Sequence, residues 1–217
     1  MKELKLYIPF LFLLLLAGAC KQKKTGIESS KYTLDDDALM DTVQRHTFNY
    51  FWEGAEPNSG LARERIHMDG DYPENDQNVI TSGGSGFGIM AILAGIDRGY
   101  VTREEGLERM ERIISFLETA DRFHGAYPHW WYGDTGKVKP FGKMDNGGDL
   151  VETAFIMQAL LAVHQYYANG SEREKALSTR IDKLWREVDW NFYRQGNQNV
   201  LYWHWSPEYG WEMNFPV

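Results

Sequence analysis

The feature that most constrains the fold is a pattern that occurs twice. Thr102-Arg103-Glu104-Glu105 and Ser171-Glu172-Arg173-Glu174 are both capping-box sequences, 69 residues apart, in which a hydroxyl and a glutamate satisfy free N–H groups at a helix start. Each opens a segment with one apolar stripe: Leu107, Met110, Ile113, Ile114 and Leu117 in the first, Leu177, Ile181, Leu184, Trp185 and Val188 in the second. Each is preceded by a segment apolar on all sides, Ile89 to Ile96 ending at Gly99, and Leu150 to about Tyr167 ending at Asn169-Gly170. A helix apolar all round is an inner helix, and a striped one is peripheral. The unit of long loop, inner helix and outer helix therefore repeats.

Stacked hairpins of this kind build a toroid. The expected fold is all-α, an incomplete (α/α)6 barrel with its long loops gathered at one end to form a cleft over the N-termini of the inner helices. The loops are Gly54 to Thr81, Arg122 to Gly147 and Arg194 to about Met213, with Gly83 to Gly88 leading into the first inner helix. An earlier helix opens at Asp35-Asp36-Asp37, where acidic residues suit the positive end of the helix dipole, and runs to about Glu53 with Leu39, Val43, Thr47 and Phe51 at helical spacing. By the same period a third inner helix would begin near Val217. Two and a half hairpins do not close a ring, so the sequence reads as the N-terminal part of a longer protein; a complete small helical domain would leave apolar faces uncovered.

Residues 1–19 read as a lipoprotein signal peptide: a short positive segment, an apolar run from Leu6 to Leu16 too short to span a bilayer comfortably, then Leu16-Ala17-Gly18-Ala19-Cys20. That ending resembles the lipobox of bacterial lipoproteins, with Ala17 where Leu, Val or Ile is usual. It implies lipidation at Cys20 and an anchor in the bacterial cell envelope, at the periplasm or outer membrane; the alternative is an ordinary cleaved signal. Cys20 is the only cysteine, so no intramolecular disulfide can form. Residues 20–32 make a flexible tether and 33–217 the domain.

The net charge of -8 argues against nucleic acid as a partner. Gly83 to Gly88 has no Walker lysine and follows no evident strand, His124 and His129 fit no zinc motif, and Ser82 and Ser85 lack the nucleophile elbow. No metal or organic cofactor is implied.

What remains is Asp145, Asp149 and Glu152, three carboxylates at the mouth of the second inner helix. They suit general acid–base work if the pocket separates their pKa values; they equally suit plain helix capping. Beside them lie two aromatic clusters, one holding His129, Trp130 and Trp131, the other Trp203 and Trp205. Aromatic faces next to carboxylates suit sugar rings, although either cluster can instead be core. Arg63 is a candidate hydroxyl binder or an ion-paired loop brace.

Phe48-Asn49-Tyr50-Phe51-Trp52, Gly86-Phe87-Gly88 with Arg98-Gly99-Tyr100-Val101, His129, Asp145-x3-Asp149-x2-Glu152-Thr153, and Trp203-His204-Trp205-Ser206-Pro207-x-Tyr209-Gly210-Trp211 together resemble the bacterial glucoamylase-like domain family, which includes the inverting endo-β-1,2-glucanases of glycoside hydrolase family 144. The resemblance implies an (α/α)6 barrel of about twice this length in an exported glycan-degrading enzyme. Asp145, Asp149 and Glu152 would line its cleft, with Arg63, His129, Trp130, Trp131, Trp203 and Trp205 as substrate-binding candidates. In the family, an Asn-Glu pair carrying a candidate general acid follows the Trp-Ser-Pro segment, beyond the last residue of this sequence. The expected function is an exported, lipid-anchored glycoside hydrolase acting on a β-glucan. A glycan-binding lipoprotein or inactive remnant without turnover is the alternative, and a lyase fits the acidic balance poorly.

Overall fold

The computed structural model describes residues 35–217. The signal peptide, Cys20 and the tether lie outside the described residues. Residues 40–217 form one compact unit.

Five α-helices carry the fold: α1 (Asp36–Trp52), α2 (Ser82–Asp97), α3 (Arg103–Thr119), α4 (Leu150–Tyr167) and α5 (Glu172–Arg186). Asp35 caps α1, its Oδ1 accepting from the Ala38 N–H at 2.8 Å. Both predicted capping boxes form, at Thr102 on α3 and at Ser171 on α5. The α3 stripe is buried along its length, as are Leu177, Ile181 and Leu184 of α5. α2 packs chiefly on α4, α4 on α5, and α3 on both α2 and α5. The molecule is thus two helical hairpins stacked side by side, the inner pair and the outer pair each in contact. Among the described residues no helix is long and apolar enough to cross a membrane.

The all-α expectation holds for the scaffold, with one correction: the loops contain short strands. These are β1 (Val79–Thr81), β2 (Trp130–Tyr132), β3 (Val138–Lys139), β4 (Gly148–Asp149) and β5 (His204–Trp205). β1, β2 and β3 make one antiparallel sheet, with Thr81 opposite Trp130 and Trp131 opposite Val138. β4 and β5 pair with Gly148 opposite Trp205 and Asp149 opposite His204. β1 runs directly into α2 and β4 directly into α4, so both ladders sit at the N-termini of the inner helices. Strands of two or three residues leave no periodic trace in the sequence, which is why these stretches read as loop.

A second correction concerns Gly83 to Gly88, expected to lead into an inner helix. They lie inside it, since α2 starts at Ser82. Glycine is a poor helix former, and close packing explains its use here. A Cβ on Gly86 would stand 2.6 Å from the Phe155 carbonyl oxygen, and one on Gly95 2.3 Å from the Phe48 ring. Neither inner helix is buried all round: Phe87, Met90, Phe155 and Leu161 are exposed, as are Leu39 and Val43 of the α1 stripe, and the one buried residue of α1, Phe48, lies outside that stripe.

Gly86→Ala is expected to destabilise the protein by about 1–3 kcal/mol, because backbone cannot yield as a flexible side chain does. Gly142→Ala, where a Cβ meets nothing within 4 Å, is the control expected to be silent. Chemical denaturation of the two variants measures the difference.

Candidate active site

The ladders deliver four side chains to one point. Ser82 N–H donates to the His129 carbonyl at 3.1 Å, fixing His129 to the start of α2. Asp149 N–H donates to the Tyr127 carbonyl at 2.8 Å, and Leu150 N–H to the Trp203 carbonyl at 2.7 Å. The β4–β5 register then places Asp149 beside His204. Asp145 enters from the loop ahead of β4, whose own backbone accepts from Phe141 N–H at 2.9 Å.

Asp149 is fully buried and caps α4. Its Oδ1 accepts from the Glu152 N–H at 2.9 Å and from the Trp203 indole N–H at 2.8 Å. Its Oδ2 has no hydrogen-bond partner, and neither does His204 Nδ1. His129 Nδ1 lies 3.3 Å from both Asp145 Oδ2 and Asp149 Oδ2, and His204 Nε2 lies 3.2 Å from the same two oxygens.

Charges in the site reinforce one another. Burial works against a charge on His129, but the Asp145 and Asp149 carboxylates outweigh it and raise its pKa to about 10. The same contest lifts His204 to about 9. Burial would raise Asp145, yet the two histidines bring it down to about 2, and Asp149 is lowered for the same reasons. Glu152 goes the other way: burial raises it and the Asp149 charge adds, against the Gly83 N–H and His129. Its Oε2 accepts that Gly83 N–H at 2.6 Å. The three carboxylates therefore differ in proton affinity, as acid–base chemistry requires.

The other predicted residues divide. Trp130 is half-buried next to His129, its ring 4.7 Å from Phe141, which itself stacks on His129 at 4.1 Å. Trp131 is corrected: it is fully buried, donates its indole N–H to the Asp121 carbonyl and packs edge-on to Phe116 and Tyr127, so it offers no face to a sugar. Strand alternation sends neighbours to opposite faces, and the sequence did not show β2. Trp203 serves the site through its bond to Asp149. Trp205 is half-buried among Phe123, His124 and Phe192, away from the carboxylates. Arg63 spends its guanidinium on the Gln77, Gly54 and Ala55 carbonyls, bracing a loop outside the cluster. His204 was not among the expected site residues. Its signal was only a histidine between two tryptophans, and the β4–β5 pairing is what gives it meaning.

Relatives with the same architecture are known. An endo-β-1,2-glucanase from Chitinophaga pinensis, solved with sophorotriose and glucose, superposes with a TM-score of 0.83 and is 66% identical, covering 85% of this chain and 44% of its own. Over most of its length the chain is similar to this β-1,2-glucanase and to glucoamylase-like proteins. A candidate glucoamylase from Bacteroides caccae is 84% identical, with a TM-score of 0.82, over 83% of this chain and 44% of its own. The exo β-1,2-glucooligosaccharide sophorohydrolase (non-reducing end) of Parabacteroides distasonis is 51% identical over 190 residues, 87% of this chain and 25% of its own length. The chain thus spans between 25% and 44% of these relatives. No family model matches it, and kinship rests on the relatives themselves.

Trp203→Phe keeps the ring and removes the donor to Asp149. Bonds to a charged acceptor contribute about 1.5–3 kcal/mol, and a loss of that size is expected in chemical denaturation.

Proposed function

We propose that this chain carries the acidic half of the active site of an exported glycoside hydrolase that cleaves a β-1,2-glucan with inversion, in endo fashion, within an (α/α)6 barrel. The observation that carries the reading is the buried Asp149, whose Oδ1 is fully engaged by scaffold donors and whose Oδ2 faces the site without a partner. A carboxylate oxygen held so can take a proton from an incoming water or fix a sugar hydroxyl. Support comes from relatives named as β-1,2-glucan hydrolases, one of them solved with sophorotriose.

The geometry limits the roles. Inversion needs an acid and a base about 6.5–9.5 Å apart, leaving room for water. The facing oxygens of Asp145 and Asp149 lie within 4.8 Å of each other, so they work on one side of the ring and the acid opposite them is another group. Glu152, with its raised proton affinity, stands one helical turn along from Asp149. Trp130 offers the half-buried aromatic face beside the cluster. His129 and Trp203 hold the carboxylates, Trp203 through its indole N–H to Asp149. Cys20 is proposed as the lipid anchor that keeps the enzyme in the cell envelope, where glucan is met outside the cytoplasm.

Asp149→Asn in the protein with its full reading frame is expected to lower hydrolysis of linear β-1,2-glucan by about 10²–10⁴-fold, the range for loss of one acid–base group. Reducing-end release measures it. Undiminished turnover by that variant would remove Asp149 from the chemistry, and binding of glucan without turnover by the unaltered protein would make this a glycan-binding lipoprotein.

A further inference from the structure

The four side chains that meet at the site have a geometry that proton sharing does not explain. A charge-assisted N–H to carboxylate bond runs to about 2.7–2.9 Å. The four nitrogen–oxygen contacts here are 3.3, 3.3, 3.2 and 3.2 Å. Only the contact between His129 Nδ1 and Asp145 Oδ2 is directed as a hydrogen bond, and Asp149 Oδ2, in a residue with 0% exposure, has no partner. Each nitrogen sits equidistant from the two oxygens. Donor atoms arranged in this way converge on a common point.

The spacing identifies what would fit there. Around a tetrahedral ion with ligands at about 2.0–2.1 Å, neighbouring ligand atoms stand about 3.3 Å apart. That value matches the four nitrogen–oxygen edges, and all four atoms lie within 4.8 Å of one another. We propose that His129, Asp145, Asp149 and His204 form a four-coordinate site for a zinc-class divalent cation. Two imidazole nitrogens and two carboxylate oxygens suit zinc, whereas calcium and magnesium require six or more oxygens. Two aspartates balance the double positive charge, so the buried complex is neutral.

The ligands reach the site from four separate places: the segment before β2, the loop before β4, the last residue of β4 and the first of β5. No sequence spacing could announce such a set, which is why the histidine spacing pointed away from metal. A cation held there would pin the second and third loops together at the N-terminus of α4. It would also compete with glucan chemistry for Asp149 Oδ2. The binding test below is read without glucan, so its failure leaves the hydrolase reading untouched.

The protein is stripped with EDTA, dialysed and titrated with Zn²⁺ by calorimetry. One equivalent per chain is expected, and Co²⁺ in its place is expected to give the intense visible bands of tetrahedral coordination. His204→Gln, folded by circular dichroism, is expected to weaken Zn²⁺ binding by more than about 100-fold, since even outer partners of a metal site contribute 10–100-fold. Absence of stoichiometric binding by the folded protein would overturn the proposal, and so would unchanged affinity in His204→Gln. If that variant fails to fold, Asp145→Asn is titrated in its place and read by the same two outcomes.

Discussion

Asp149 joins the local and the long-range structure at one residue. Its backbone belongs to β4, and its N–H is held by the Tyr127 carbonyl at 2.8 Å. Its Oδ1 caps the start of α4 by accepting the Glu152 N–H and fixes the third loop by accepting the Trp203 indole. Helix start, second loop and third loop thus depend on one residue, Asp149. Because those donors all use Oδ1, the other oxygen stays free for the site. A carboxylate buried without donors would be driven towards its neutral form; here two scaffold donors and two histidines hold the charge.

The second constraint is the close approach of the inner helices. The 69-residue repeat relates Gly83 to Glu152, and the Gly83 N–H donates to that Glu152 carboxylate. The same period relates Gly86 to Phe155, the pair whose backbones nearly touch. Equivalent positions of the two units therefore meet each other, which is what a side-by-side stack of hairpins requires. Glycine at Gly83 leaves room for the Glu152 carboxylate, since a Cβ there would stand 2.5 Å from it. Packing and site chemistry are served by the same residues.

Kinship with β-1,2-glucanases gives the arrangement a wider context. The inner helices present Phe87, Met90, Phe155 and Leu161 to solvent, and the chain covers 44% of the Chitinophaga pinensis relative it matches. Apolar faces of that kind normally lie against another element. The outer pair, by contrast, is finished: α3 and α5 are tied by Arg173 to Glu104 and Glu111 and by Arg180 to Glu118, with charged residues facing water.

Much of this was legible in the sequence, and the limit is physical. Helices depend on contacts three or four residues apart, so the capping boxes, the α3 stripe from Leu107 to Leu117 and the two hairpins could be read from Thr102 and Ser171 onwards. The carboxylates at Asp145, Asp149 and Glu152 stood out because they crowd a helix start. The short strands could not be read, because pairing between residues such as Asp149 and His204 depends on partners far apart along the chain. That pairing brought His204 into the site. Alternation along β2 put Trp131 in the core while leaving Trp130 beside His129. The sequence by itself determined the helical hairpins and the acidic helix mouth; only the tertiary structure decided which side chains meet there, since the meeting is made by ladders and packing between distant segments.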